Sequence, residues 1–200
     1  MRGLVPFEVA AVLAAAVISL PIPVVIPLLA AASLSLWARG RSFGNVTSTP
    51  SLYGAVGALA GVAALVLAVA IGAPLVERAT DEAVQWSMYP VVRGSPMTFA
   101  MIAVIVGISA IAAELALRGW IVERVLELSR GNAVLAFLVG AFAEALVSPG
   151  GLSSRIGAGL FGIALGWMYI ASGRRVMPPI LARLVFSVGA LALEALRLVG

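Results

Sequence analysis

AAELALRGW, residues 112–120, closes an apolar run that starts at Met97. A helix needs about 20 apolar residues to cross a bilayer, and this run supplies them. Residues 97–113 carry no charge; Glu114 and Arg118 then stand four apart, on one face of a helix, where they can pair. An ionisable residue inside a membrane segment is costly and points to a functional site unless a partner neutralises it. What the chain does turns on whether this pair is chemistry or scaffold.

Composition sets the solvent. The chain has 200 residues, 62% hydrophobic and 11% charged, where soluble domains carry about 25% charged residues. It reads as an all-α polytopic integral membrane bundle of about seven segments. No polar linker, low-complexity tract or internal repeat divides it, so residues 1–200 read as a single membrane domain. The chain has no cysteine, which excludes disulfides and thiolate metal sites. It also has no histidine, the commonest metal ligand and general base. No metal and no cofactor are expected, and catalysis would have to rest on carboxylates, hydroxyls or arginine. All 13 basic residues are arginines, scattered among short loops. The positive-inside rule accounts for that pattern, so the bilayer, not nucleic acid, is the expected partner.

Outward from the opening stretch, the other segments follow. Residues 5–37 read as an N-terminal hairpin of two short helices broken at Pro21-Ile22-Pro23. Glu8 interrupts the first arm, which speaks against a cleaved leader. Arg39 and Arg41 precede a polar loop, whose Asn45-Val46-Thr47 sequon carries no weight. Residues 52–76 are the clearest span, and Gly57-x-x-x-Gly61 marks close packing on a neighbouring helix of the same chain. Residues 77–96 are polar; Trp86 and Tyr89 suit an interface, and a short surface helix before a turn at Pro90 is expected. Past the opening stretch, Ile121, Val125 and Leu128 recur at helical spacing, an amphipathic continuation ended by Gly131. Residues 132–148, 156–172 and 177–197 complete the segments, with glycines at 157, 159, 162 and 166 for close packing. Glu8 and Glu194 are expected to reach toward the membrane surface.

Seven alternating segments put eight arginines (2, 39, 41, 118, 124, 130, 174, 175) on the side of the N-terminus and four (78, 93, 155, 197) on the other. That bias places the N-terminus in the cytoplasm. The expected location is a prokaryotic cytoplasmic membrane.

Residues 107–190 resemble the CPBP family, the type II CAAX prenyl proteases and bacteriocin-processing proteins. That resemblance implies a multi-pass intramembrane endopeptidase with three motifs on consecutive helices. The first is Glu-Glu followed four residues later by Arg-Gly; here Ala113, Glu114, Arg118 and Gly119 occupy it. The second is Phe-x-x-x-His; here Phe142 stands and Leu146 takes the His position. The third follows Pro179-Ile180-Leu181-Ala182 and reads His-x-x-x-Asn or Asp; here Arg183 and Ser187 take the polar positions. Residues 97–197 therefore read as a CPBP-like, motif-bearing core from which the catalytic Glu and both His are missing.

The departures bear on chemistry. A general base must offer a lone pair within reach of the attacking water. Ala113 and Leu146 offer none, and Arg183 is permanently protonated and repels a divalent cation. The expectation is a catalytically inactive homologue that binds a membrane peptide, a lipidated tail or a partner protein. In it, Glu114, Arg118, Glu144 and Arg183 form a buried ion cluster. Two alternatives stand beside it. One is an active intramembrane endopeptidase whose site has moved to Glu114 and Glu144. The other is an accessory subunit of a transporter or channel. A duller possibility is that Glu144 and Arg183 reach separately for opposite surfaces.

Overall fold

A computed structural model describes residues 10, 25–37, 51–84 and 89–198. The break at Pro21-Ile22-Pro23, the first arm with Glu8, the loop with Arg39, Arg41 and the sequon, and Trp86 lie outside the described residues. Among the described residues the chain is helical, with no strand. Helix α1 is Val25–Trp37. Helix α2 runs on through Ser51–Leu67, a π-helical turn at Ala68–Gly72, and Ala73–Thr80. Helix α3 spans Pro96–Leu128 and contains a second π-helical stretch at Leu117–Val122. Helices α4, α5 and α6 are Ala133–Val147, Leu152–Ala171 and Met177–Ala195. Four of these, α2, α3, α5 and α6, are long and apolar enough to cross a membrane; α1 and α4 are shorter apolar helices.

Local chemistry sets the helix ends. Ser95 caps α3, its Oγ accepting from the Thr98 N–H at 3.3 Å, with Pro96 in the first turn where its missing N–H costs nothing. Asn132 caps α4 through Oδ1 and the Leu135 N–H at 3.0 Å. Gly131, at φ 91°, lets the chain leave α3, its N–H donating to the Leu126 carbonyl at 2.8 Å. Of the segment expected to form a short surface helix before Pro90, residues 85–88 lie outside the described residues. Residues 77–80 end α2, and a 3-10 turn occupies Pro90–Val92. Asp81, at φ 55°, explains the stop: a left-handed residue ends the helix there.

Small residues decide which helices touch. A Cβ on Gly57 would lie 2.8 Å from the Pro178 Cα, and one on Gly61 would lie 3.0 Å from the Ala182 Cα, so α2 and α6 meet backbone to backbone. Gly162 and Gly166 do the same for α5 on α4: added Cβ atoms would lie 2.9 Å from the Ala141 Cα and 2.7 Å from the Phe137 Cβ. Gly157 differs, with nothing within 4 Å of its added Cβ. Gly57→Ala should therefore lower the thermal unfolding midpoint in detergent. Overpacking costs about 1–3 kcal/mol, more than the about 1 kcal/mol of helix propensity the methyl brings. Gly157→Ala should leave the midpoint unchanged or raise it. Equal responses would show that the α2–α6 contact is not close-packed.

The core lies toward one end of the bundle. Trp120, Ile121 and Val122 are fully buried and join Leu28, Ala32 and Leu36 of α1, Ala136 and Ala143 of α4, Tyr169 of α5 and Ile180 of α6. The wide π turn corrects the amphipathic reading of residues 121–128. One extra residue in a turn rotates everything after it. Val125 stays in the core, Arg124 is drawn in to 2% exposure, and Leu128 faces outward at 40%.

Candidate functional site: a buried four-charge cluster

Three helices bring the cluster together. Glu114 and Arg118 stand on α3, either side of the start of the π turn; Glu144 stands on α4 and Arg183 on α6. Arg118 Nη1 donates to Glu114 Oε1 at 3.1 Å, as their spacing allows. Arg118 Nη2 donates to Glu144 Oε2 at 2.5 Å and to the Gly162 carbonyl at 3.0 Å. Glycine at 162 permits this approach, since a Cβ there would lie 2.9 Å from Glu144 Oε2. Arg183 crosses from α6, Nε donating to Glu114 Oε1 and Nη2 to Glu144 Oε1. Its guanidinium carbon lies 5.5 Å over the Phe161 ring, which stacks on Phe186 at 4.4 Å.

Two arginines against two glutamates make a neutral group, which is the arrangement a membrane interior tolerates. Glu114 and Arg118 are completely buried, Glu144 is 4% exposed, and the Arg183 side chain is 15% exposed. Separate excursions of Glu144 and Arg183 to opposite surfaces do not occur. Of the other motif positions, Ala113, Leu146 and Ser187 are half-buried, and Phe142 is 61% exposed. None of these forms the cluster's ion pairs.

The geometry limits the chemistry. Three of the four carboxylate oxygens accept from guanidinium groups; Glu114 Oε2 is buried and without a partner. That oxygen is the cluster's one free acceptor, and no solvent reaches its residue. A divalent cation does not fit, because Arg183 bridges both carboxylates. Among the described residues no three His, Cys, Asp or Glu come together as a metal site.

Three further polar contacts have no signal in sequence spacing. Glu194, expected near the surface, is 5% exposed and accepts from Arg93 Nε at 2.7 Å. A carboxylate at a helix C-terminus faces the unfavourable end of the dipole, and Arg93 compensates it. Glu82 Oε2 accepts from the Ser153 N–H at 3.2 Å, capping α5 from a distant loop because Gly151 has no side chain to do so. Tyr169 donates to Glu123 at 2.9 Å on the opposite face of the bundle.

Compared with known proteins, residues 95–189 match the family model described as type II CAAX prenyl endopeptidase Rce1-like. No curated protein and no solved structure matches the chain.

Proposed function

We propose, with the match of residues 95–189 to the Rce1-like CAAX endopeptidase family model as premise, that this multi-pass membrane protein is a non-proteolytic relative of that family. Its role in this reading is to hold a membrane peptide, a lipidated tail or a partner protein. One observation carries the reading: Arg183, at the position of the family's third-motif histidine, is ion-paired to both Glu114 and Glu144. A guanidinium cannot take a proton from water, and while it stays there the two carboxylates are engaged as its counter-ions. The charges then serve to lock α3, α4 and α6 together, and the surrounding apolar surface remains free to hold a ligand.

The test is a cleavage assay. The protein is reconstituted in vesicles and given a farnesylated peptide ending in a CAAX sequence, with release of the terminal tripeptide followed by mass spectrometry. The expected result is no release above protein-free vesicles, for the wild type and for Glu114→Gln alike. Release that disappears in Glu114→Gln would overturn the proposal in favour of an endopeptidase working through Glu114 Oε2.

A further inference from the structure

Arg175 stands apart from Arg124 and Arg174, which have counter-ions. Arg124 pairs with Glu127 at 2.5 Å, and Arg174 lies 3.9 Å from Glu123. Arg175 meets no carboxylate among the described residues. Its guanidinium carbon sits 4.9 Å over the Tyr53 ring, and its Nη1 is buried without an acceptor. A ring face attracts the cation, but it neither neutralises it nor satisfies the five N–H groups of a guanidinium. A donor that has left water and gained no acceptor is a standing cost. An anionic oxygen would remove it.

The turn that carries Arg175 is firmly built. Residues 172–176 join α5 to α6, two helices able to cross a membrane, so the turn lies at the bilayer surface. Gly173 and Arg174 both have positive φ, 75° and 64°. The Arg174 N–H closes α5 on the Tyr169 carbonyl at 2.9 Å. Ser172 Oγ lies within hydrogen-bond distance of the Tyr169 and Arg175 carbonyls, at 3.0 and 3.2 Å. Beside Arg175, the Arg174 side chain is 54% exposed. On this face the described residues carry Arg130, Arg174 and Arg175 beside Glu123 and Glu127, with Arg124 buried and paired to Glu127.

The geometry points to a phosphate-binding site at Arg174 and Arg175, filled by the headgroup of an anionic phospholipid. The guanidinium fork matches two phosphate oxygens at once, which an ammonium cannot do. Tyr53 holds the Arg175 guanidinium by its face, so the ring engages none of its N–H groups. The site lies where α2 begins and α5 and α6 meet, so a lipid bound there keeps its acyl chains in the bilayer. The excess of positive charge favours an anionic headgroup over a zwitterionic one. The inference stands whether or not the buried cluster hydrolyses peptides.

Native mass spectrometry of the protein released from neutral detergent tests it, with phosphatidylglycerol, phosphatidylcholine and inorganic phosphate as separate probes. The wild type should bind phosphatidylglycerol about tenfold or more tightly than phosphatidylcholine, as expected for charge-assisted hydrogen bonds to a phosphate. Arg175→Gln should abolish that preference, and Arg175→Lys, which keeps charge without the fork, should reduce it. Arg155→Gln, on the opposite face, should keep it. Millimolar inorganic phosphate should not displace the lipid; full displacement would support the same site with free phosphate as its ligand. A wild-type preference retained in Arg175→Gln would overturn the proposal, as would a wild type that binds neither anion. Should Arg175→Gln fold poorly, Arg174→Gln and Arg175→Lys carry the same comparison.

Discussion

Arg118→Leu is expected to cost more stability than any other single substitution in the cluster, about 3–5 kcal/mol. Its guanidinium is completely buried and reaches Glu114, Glu144 and the Gly162 carbonyl at once. Two magnitudes decide the size of the effect. Hydrogen bonds between membrane helices average only about 0.6 kcal/mol, because unfolded segments in the bilayer find other partners. A stranded charge near the middle of a membrane helix costs about 2.5–3.5 kcal/mol. The loss is therefore set by the carboxylate left without its cation and only slightly by the hydrogen bonds removed. Unfolding in mixed detergent micelles, followed by circular dichroism, measures it. A loss below about 1 kcal/mol would mean that one glutamate takes up a proton once Arg118 is gone, so that Arg183 balances the other.

The parts legible in the sequence are those that need only local spacing. Uncharged runs at residues 52–76, 97–113 and 156–172 mark α2, α3 and α5, and Gly57-x-x-x-Gly61 marks a close approach that the structure realises against Pro178 and Ala182. Glu114 and Arg118 are visible as neighbours because a helix puts residues four apart together. Arg183 enters their neighbourhood only through the family resemblance, since no spacing relates it to α3.

What the sequence hides is geometry that no periodicity encodes. The π turn at Leu117–Val122 has the same apolar composition as the helix around it, yet it rotates Arg124 inward. The amphipathic reading of Ile121, Val125 and Leu128 assumed 3.6 residues per turn, and that assumption failed within this stretch. The Arg93–Glu194 pair and the Glu82 cap on α5 join residues 101 and 71 positions apart. An acidic residue near a membrane end reads by default as surface-seeking, and only the fold reveals a partner waiting for Glu194.

Arg183→Leu is expected to cost about 3 kcal/mol, and the informative experiment pairs it with Glu144→Gln. The wild-type cluster is neutral. Arg183→Leu leaves one negative charge in excess, and Glu144→Gln leaves one positive charge. The double variant returns to the neutral pair Glu114–Arg118. Independent charges would make the losses add to about 6 kcal/mol, twice the cost of one stranded charge. A shared cluster predicts that the double variant loses little more than either single one, a coupling of about 2–3 kcal/mol. Arg183 should be the milder loss beside Arg118, because its side chain is 15% exposed and water can enter as it leaves. The cycle, read as unfolding free energies in the same micelles, separates two uses of the charges. Strong coupling makes the four residues one lock across α3, α4 and α6. Additive losses would leave Glu144 and Arg183 as separate charges, and the case for a site rebuilt around Arg183 would fail with them.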